Sequence, residues 1–320
     1  PAADINALVN ASGAMSPEWK VASDFTLRPS RLFGQPLSGK GRFNADAKHV
    51  TGVDANLAMG GNSVDLRGSF GAPGERLLWK LDAPQLSALR SDLAGSLAAS
   101  GAISGTMEAP RTTFVADARG LGLAQKARKP NASVLHASGE AWLAAASQDG
   151  TRDIGIKTTG TARGFDPAVF GSPLAGSING KFAADGRLGK NMSGNVDVTL
   201  EQSTLSNAPL WGHARLGGSA QRITNADVDL HIGPNVIAAK GRFGAPADRL
   251  DWRIDAPQLA VLGGDFGAST GILVKGNADP DTFFFSSTFL GASTRAKGSG
   301  GVDVFDVIER LEPSARGGLE

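Results

Sequence analysis

The 320-residue chain has no cysteine, no tyrosine and only four histidines. Each absence excludes something. Without cysteine there is no disulfide framework, no thiolate metal site and no cysteine nucleophile. No apolar run approaches the roughly 18 residues that a membrane helix needs. An excess of one charge is also missing: 32 Lys and Arg face 31 Asp and Glu, a net charge of +1. Phosphate recognition needs clustered cations, so nucleic acid is not an expected partner. A hydrophobic content of 41% is too high for a disordered chain. Glycine is abundant instead, with 43 residues, roughly twice the usual share, and it lacks the three-residue period of collagen. The chain opens on Pro1 in mid-pattern, with no signal peptide, and reads as an internal piece of a longer protein.

The sequence repeats itself. Residues 36–92 align with 209–265 at an offset of 173 without a gap, and 25 of the 57 positions are identical. Phe70-Gly-Ala-Pro73 recurs as Phe243-Gly-Ala-Pro246, and Asp82-Ala-Pro-Gln-Leu86 recurs as Asp255-Ala-Pro-Gln-Leu259. A weaker echo joins Phe33-Gly-Gln-Pro-Leu37 to Phe170-Gly-Ser-Pro-Leu174. Internal repetition points to stacked units that cannot each cover their own apolar face.

Inside the repeats the period is two. Val53, Ala55, Leu57 and Met59 alternate with Asp54, Asn56 and Ala58. Val228, Leu230 and Ile232 alternate with Asp227, Asp229 and His231. Alternation gives each strand one apolar and one polar face, the pattern of an antiparallel sheet. Gly60-Gly61-Asn62 and Gly233-Pro234-Asn235 supply equivalent turns, as do Ala72-Pro73-Gly74 and Ala245-Pro246-Ala247. About 20–25 strands are expected, and a sheet of that size twists, curls or closes: either it folds onto itself as a sandwich or barrel, or it curls into a trough with an apolar interior. Helix is sparse. Gln85–Ala94 and Ala141–Ala146 are ambiguous, and Val302–Leu311 is the best helical candidate, with Val304, Val307, Ile308 and Leu311 on one face. No linker or charge block divides residues 1–320, which read as one continuous β segment. The basic cluster Gln125–Lys129 reads as a solvated loop.

Reactive chemistry is hard to find. His49, His136, His213 and His231 lie far apart and lack metal-ligand spacing. Asp227 and Asp229 sit two apart on one strand face, where cross-strand charge pairing explains them better than a catalytic dyad. Ser38 and Ser172 are not in a nucleophile elbow, and phosphate-binding glycine loops are missing. Asn10, Asn131 and Asn191 open Asn-x-Ser triplets short enough to arise by chance. Metal, cofactor and enzymatic activity are therefore not expected. The recurring residues are apolar, including Trp79 with Trp252 and Phe70 with Phe243, and Phe283, Phe285 and Phe289 form a dense strip that needs a partner.

The segment Gly68–Leu89, its continuation through Leu93 to Pro110, and Pro167–Gly176 resemble the long periplasmic region of the TamB and AsmA-like family. The resemblance covers most of Leu27–Leu290. It implies an all-β fold: a long, curled, twisted, mainly antiparallel β-sheet that forms an open, taco-like trough. It implies a periplasmic protein anchored in the inner membrane, carrying phospholipid acyl chains between inner and outer membranes. It also implies an outer-membrane barrel partner of the TamA type, reached through parts of the chain not represented here. The groove residues expected on this reading are Val64, Leu66, Phe70, Trp79, Leu81, Val196, Val198, Leu200, Val228, Leu230, Ile232, Ile237, Phe243, Trp252, Ile254, Ile272, Val274, Phe283 and Phe285.

Physics is compatible with that role. An acyl chain of about 14–16 methylenes costs roughly 11–13 kcal/mol to expose to water, at about 0.8 per methylene. A continuous apolar face avoids most of that cost at every step and needs no nucleophile or nucleotide. The family also implies an alternative, a scaffold that helps insert autotransporters and other outer-membrane β-barrels, with strand addition as mechanism. A secreted β-solenoid would repeat every 20–30 residues or so, which the 173-residue offset disfavours. An enzyme is the weakest reading.

Overall fold

The structure is a computed structural model, and it describes residues 3–14, 19–125, 132–144, 150–190, 192–258 and 261. For 272–278, 283–287, 293–298 and 305–310 it describes the backbone alone. The chain divides into two units, residues 1–171 with 188–190, and residues 172–187 with 191–320.

The first unit is an antiparallel meander. Its strands are β1 (Ala3–Asp4), β2 (Ala7–Ala14), β3 (Lys20–Leu32), β4 (Gln35–Asp46), β5 (Val50–Met59), β6 (Asn62–Phe70) and β7 (Leu77–Ala83). After them come β8 (Leu93–Gly105), β9 (Pro110–Leu123), β10 (Val134–Leu143) and β11 (Ile154–Phe165). From β2 onward each strand pairs with the next, and β1 pairs with the end of β3. The second unit repeats the plan with β12 (Gly176–Leu188), β13 (Ser193–Leu205), β14 (Ala208–Ser219), β15 (Ile223–Ile232), β16 (Asn235–Phe243), β17 (Leu250–Ala256), β18 (Ile272–Ala278) and β19 (Phe283–Ser287). A separate pair joins β20 (Ser293–Gly298) and β21 (Phe305–Arg310). Among the described residues neither sheet closes into a barrel. The all-β, antiparallel architecture expected from the alternation is what the chain adopts, and among the described residues it is open, as the family resemblance implied.

The duplication is larger than the sequence alignment revealed. Strands β3 to β7 map onto β13 to β17 with both ends offset by 173. Backbone detail repeats too. Phe33 and Gly34 turn with φ of 51° and 77°, and Ser206 and Asn207 with 51° and 66°. Gly68 and Gly241 have φ of 121° and 133°, and a Cβ there would lie 2.2 Å from the Arg76 carbonyl and 2.1 Å from the Arg249 carbonyl. Only glycine allows that close approach, so these positions mark local irregularities in the paired strands.

Buried polar groups repeat as well. Asn62 Nδ2 donates to the Gln85 carbonyl at 3.0 Å, and the Gln85 amide donates to Asn62 Oδ1 at 3.0 Å. Asn235 makes the same two bonds with Gln258, both at 3.0 Å. Asn62 and Asn235 are 3% and 1% exposed, so each side chain replaces water for a loop backbone that has no strand partner. Ser30 and Ser203 do likewise at register breaks. Each hydroxyl accepts from an amide (Asn6, 2.9 Å; Asn179, 2.8 Å) and has two carbonyls within reach of its single hydrogen.

Helix is confined to short turns among the described residues. The Gln85–Ala94 region holds one helical turn, α1 (Leu86–Leu89), before β8 begins at Leu93. Ala141–Leu143 belong to β10, while Ala145 and Ala146 lie outside the described residues. The expected helix over Val302–Leu311 is corrected: residues 305–310 are a strand paired with β20. Its Val and Ile fit helical spacing, but β-branched side chains favour extended backbone once a neighbouring strand supplies hydrogen bonds. Gln125 lies in a turn, and the rest of the basic cluster, residues 126–129, lies outside the described residues.

The Asn62→Ala and Asn235→Ala variants should each lose about 2–4 kcal/mol of unfolding free energy, because two bonds vanish and two buried backbone groups are left unpaired. Urea denaturation would measure this, and unchanged midpoints would show that the clamps do not matter.

Candidate functional site

Register places the apolar residues in continuous rows. Residues directly opposite on antiparallel strands share a face. In the first unit one row runs Val9, Phe25, Gly41, Ala55, Leu66, Trp79, Gly101 and Phe114 across β2 to β9. The next runs Ala7, Leu27, Gly39, Leu57, Val64, Leu81, Ala99 and Ala116. In the second unit Phe182, Val198, Ala214, Val228, Ala239 and Trp252 form one row, and Gly180, Leu200, Gly212, Leu230, Ile237 and Ile254 the next. Val196 aligns with Leu216 and Ala226 in a third.

These rows bring together Val64, Leu66, Trp79 and Leu81 in one unit, and Val196, Val198, Leu200, Val228, Leu230, Ile237, Trp252 and Ile254 in the other. Phe70 and Phe243 stand at the ends of β6 and β16, beyond the Gly68 and Gly241 irregularities. Phe70 is buried there and Phe243 half-buried. Ile232 is buried with Ala208 and Leu210, beneath the loop residue Val261. Ile272, Val274, Phe283 and Phe285 take the register positions opposite Ala256, Ile254, Ala278 and Gly276.

Sequence reasoning missed the face on β2 to β4, including Val21, Phe25, Leu27, Leu37 and Phe43. The same period-two signal was present: Val21, Ser23, Phe25 and Leu27 are half-buried between exposed Lys20, Ala22, Asp24 and Thr26.

Glycines in the rows have a packing role. A Cβ on Gly41 would lie 2.7 Å from the Phe25 ring, one on Gly39 2.6 Å from Leu57 Cδ2, and one on Gly101 2.8 Å from the Trp79 indole. Large side chains thus rest on the bare backbone of the next strand. Trp79 Nε1 also donates to Thr112 Oγ1 at 3.0 Å, which fixes the indole on the sheet.

The opposite face is polar and cross-paired. Asp54 lies 3.5 Å from Arg42 and 3.6 Å from Arg67. Arg215 Nε donates to Asp197 at 2.8 Å. Asp227 and Asp229 do not meet as a dyad, since Asp227 pairs with His213 (3.5 Å) and Asp229 with His231 (3.1 Å). His231 also stacks under Trp211, with ring centroids 3.6 Å apart. His49 and His136 pair with Asp46 and Asp117. Among the described residues no group of three His, Asp or Glu is placed to hold a metal.

Asp248 is a buried carboxylate, 3% exposed, paired with a partly exposed arginine, Arg222. Both Asp248 oxygens accept from Arg222, at 2.9 and 3.0 Å, and Oδ2 also accepts from the Ala245 amide at 3.0 Å. The Arg222 hydrogen bonds hold the Asp248 carboxyl below its ordinary range. Burial opposes them, while the charges of Arg222 and Arg242 and the Ala245 amide act in the same direction. The same bonds raise Arg222. In the first unit the corresponding turn is held by Glu75, which accepts from the Ala72 amide at 2.9 Å.

Each unit thus presents an antiparallel sheet with one apolar face and one charge-paired face. Residues 3–139, less than half of the chain, match the family model described as TamB, N-terminal domain, so this part of the chain is similar to that family. The match falls within the first unit, whose strands recur in the second. Neither the curated proteins nor the solved structures yielded a match.

The Asp248 pair sets a pH dependence. A carboxyl depressed in the folded state contributes stability above its unfolded pKa, about 3.9, and loses it as pH falls through the folded value. Acid titration of urea midpoints should therefore show wild type losing more stability than Asp248→Asn below about pH 4. Parallel curves would remove Asp248 as the cause.

Proposed function

We propose that the apolar face conducts phospholipid acyl chains between inner and outer membranes, as part of a longer periplasmic protein anchored in the inner membrane. The observation that carries this reading is the unbroken run of apolar cross-strand rows in each unit. Within a unit the strands pack edge to edge on their sequence neighbours, so Leu66, Trp79, Leu230 and Trp252 remain half-buried rather than enclosed. A continuous apolar surface of this kind suits a flexible apolar ligand. A chain moving along it exchanges one apolar contact for another and meets little of the transfer cost estimated above. No catalytic step is involved.

A second reading draws on one feature. Strand β2 has a partner on one edge only among the described residues, and every residue in it is exposed. A free edge can accept another strand, which suits a scaffold for outer-membrane β-proteins working with a barrel of the TamA type.

Val228→Asp and Ile254→Arg should abolish binding of a fluorescent phospholipid and block lipid flux in cells while the protein still accumulates. Normal flux would sink the conduit. A photocrosslinker at Trp252 that captures lipid supports the conduit, and capture of nascent barrel strands by one at Asn10 supports the scaffold.

A further inference from the structure

A tryptophan stands on the polar face of the second unit. Trp211 of β14 shares a side with His213 and Arg215, opposite to the side of Leu210, Gly212 and Ala214. It is 52% exposed, so the fold gains little by burying it. Across on β15 it meets His231, and the two rings stack with centroids 3.6 Å apart and planes 7° apart. Asp229 lies 3.1 Å from His231 and holds the imidazole in place. On the β13 side, the register break sets two residues, Glu201 and Gln202, across from the indole. The imidazole covers one indole face and leaves the other to solvent.

The first unit shows that the sheet does not require this pair. At the offset of 173 the same two positions are Ser38 and Ala58, opposite each other and beside the same register break. Packing accounts for the other polar-face tryptophan, Trp142. A Cβ on Gly155, opposite it, would lie 2.1 Å from its ring, so that indole rests on bare backbone, and the Arg111 guanidinium lies over it at 5.4 Å. Trp211 has a histidine opposite it instead of a glycine. Net charge does not explain the ring either. The charged side chains nearest Trp211 are matched: Glu201 with Lys181, His213 with Asp227, Asp229 with His231 and Asp255 with Arg253. What the surface offers is an open indole face, ringed by hydrogen-bonding groups and electrically balanced.

We propose that Trp211, backed by His231, is a stacking platform for a neutral saccharide on the polar face of the second unit. A pyranose ring has an apolar face of axial C–H groups, which suits an indole, and a rim of hydroxyls that need donors and acceptors. Glu201 and Asp229 supply acceptors, and Gln202 supplies both. An acyl chain seated here would desolvate those groups and leave them unpaired. A protein anchor favours a tryptophan in a desolvated pocket with few charges at its centre, whereas Glu201, Gln202, His213 and Asp229 surround this one. The platform lies on the face opposite the apolar rows and does not depend on the conduit reading.

Calorimetric titration of the purified full chain with chitotetraose and with cellotetraose tests this. Wild type should bind a tetrasaccharide, and its preference assigns the ligand to amino-sugar glycans or to unsubstituted hexoses. Trp211→Ser/His231→Ala installs the residues that the first unit carries at these positions, so the melting temperature should hold. Saccharide affinity should fall about tenfold, and binding of a fluorescent phospholipid should not change. Trp211→Phe, which keeps a ring, should retain part of the affinity. Binding of neither tetrasaccharide by wild type overturns the platform, as does an unchanged affinity in the Ser/Ala variant. In cells, a photocrosslinker at Gln202 that captures protein and no glycan would also overturn it and reassign the surface to a protein partner.

Discussion

Everything in this protein depends on the hydrogen-bonded ladder between strands adjacent in sequence. Within each unit no second sheet packs on the described strands, so the ladder and its cross-strand side-chain pairs must do what a two-layer core does elsewhere. That explains where the buried residues are. Asn62, Ser30, Ala83 and Leu86, with Asn235, Ser203 and Ala256, gather at strand ends and loops, where the ladder stops and backbone groups need other partners. The clamp asparagines and the bulge serines are the price of ending a single-layer sheet cleanly.

The same constraint explains the glycine. With no opposing layer, a large apolar side chain can gain contact only by lying on its own sheet. Phe25 over Gly41, Leu57 over Gly39 and Trp79 over Gly101 do this, each using a strand position that offers no Cβ. The face is thereby smoothed as well as apolar. A surface of large residues over glycine furrows presents fewer barriers to a sliding chain than one of protruding side chains, which links a compositional oddity to the proposed conduction.

The two units share this chemistry and diverge at the margins. Asn62 and Asn235 are the same residue doing the same work, whereas Glu75 and Asp248 hold equivalent turns by different means, the latter by recruiting Arg222 at the position of His49. Duplication kept the ladder and the apolar rows, and left the rim free to change.

Alternation and turn chemistry determined the strands, their polar and apolar faces and the repeat, because a period of two and a Gly-Asn turn are local facts. That was enough to place Val64, Leu66, Val228 and Ile254 on one kind of face. It was not enough for Val302–Leu311, where helical spacing and β-branched residues disagree and a partner strand decides. The 173-residue offset was readable where side chains match. Its extension to Asn6 with Asn179 and Ser30 with Ser203 became visible only through shared hydrogen bonds and register breaks, since the residues around them differ. Tertiary structure alone decided that Ile232 lies under a loop, that Asp227 and Asp229 each face a histidine, and that glycines in the rows are floors for aromatic rings. Those outcomes depend on which residue stands opposite on the next strand, and pairing across strands is not written in the order of residues along one.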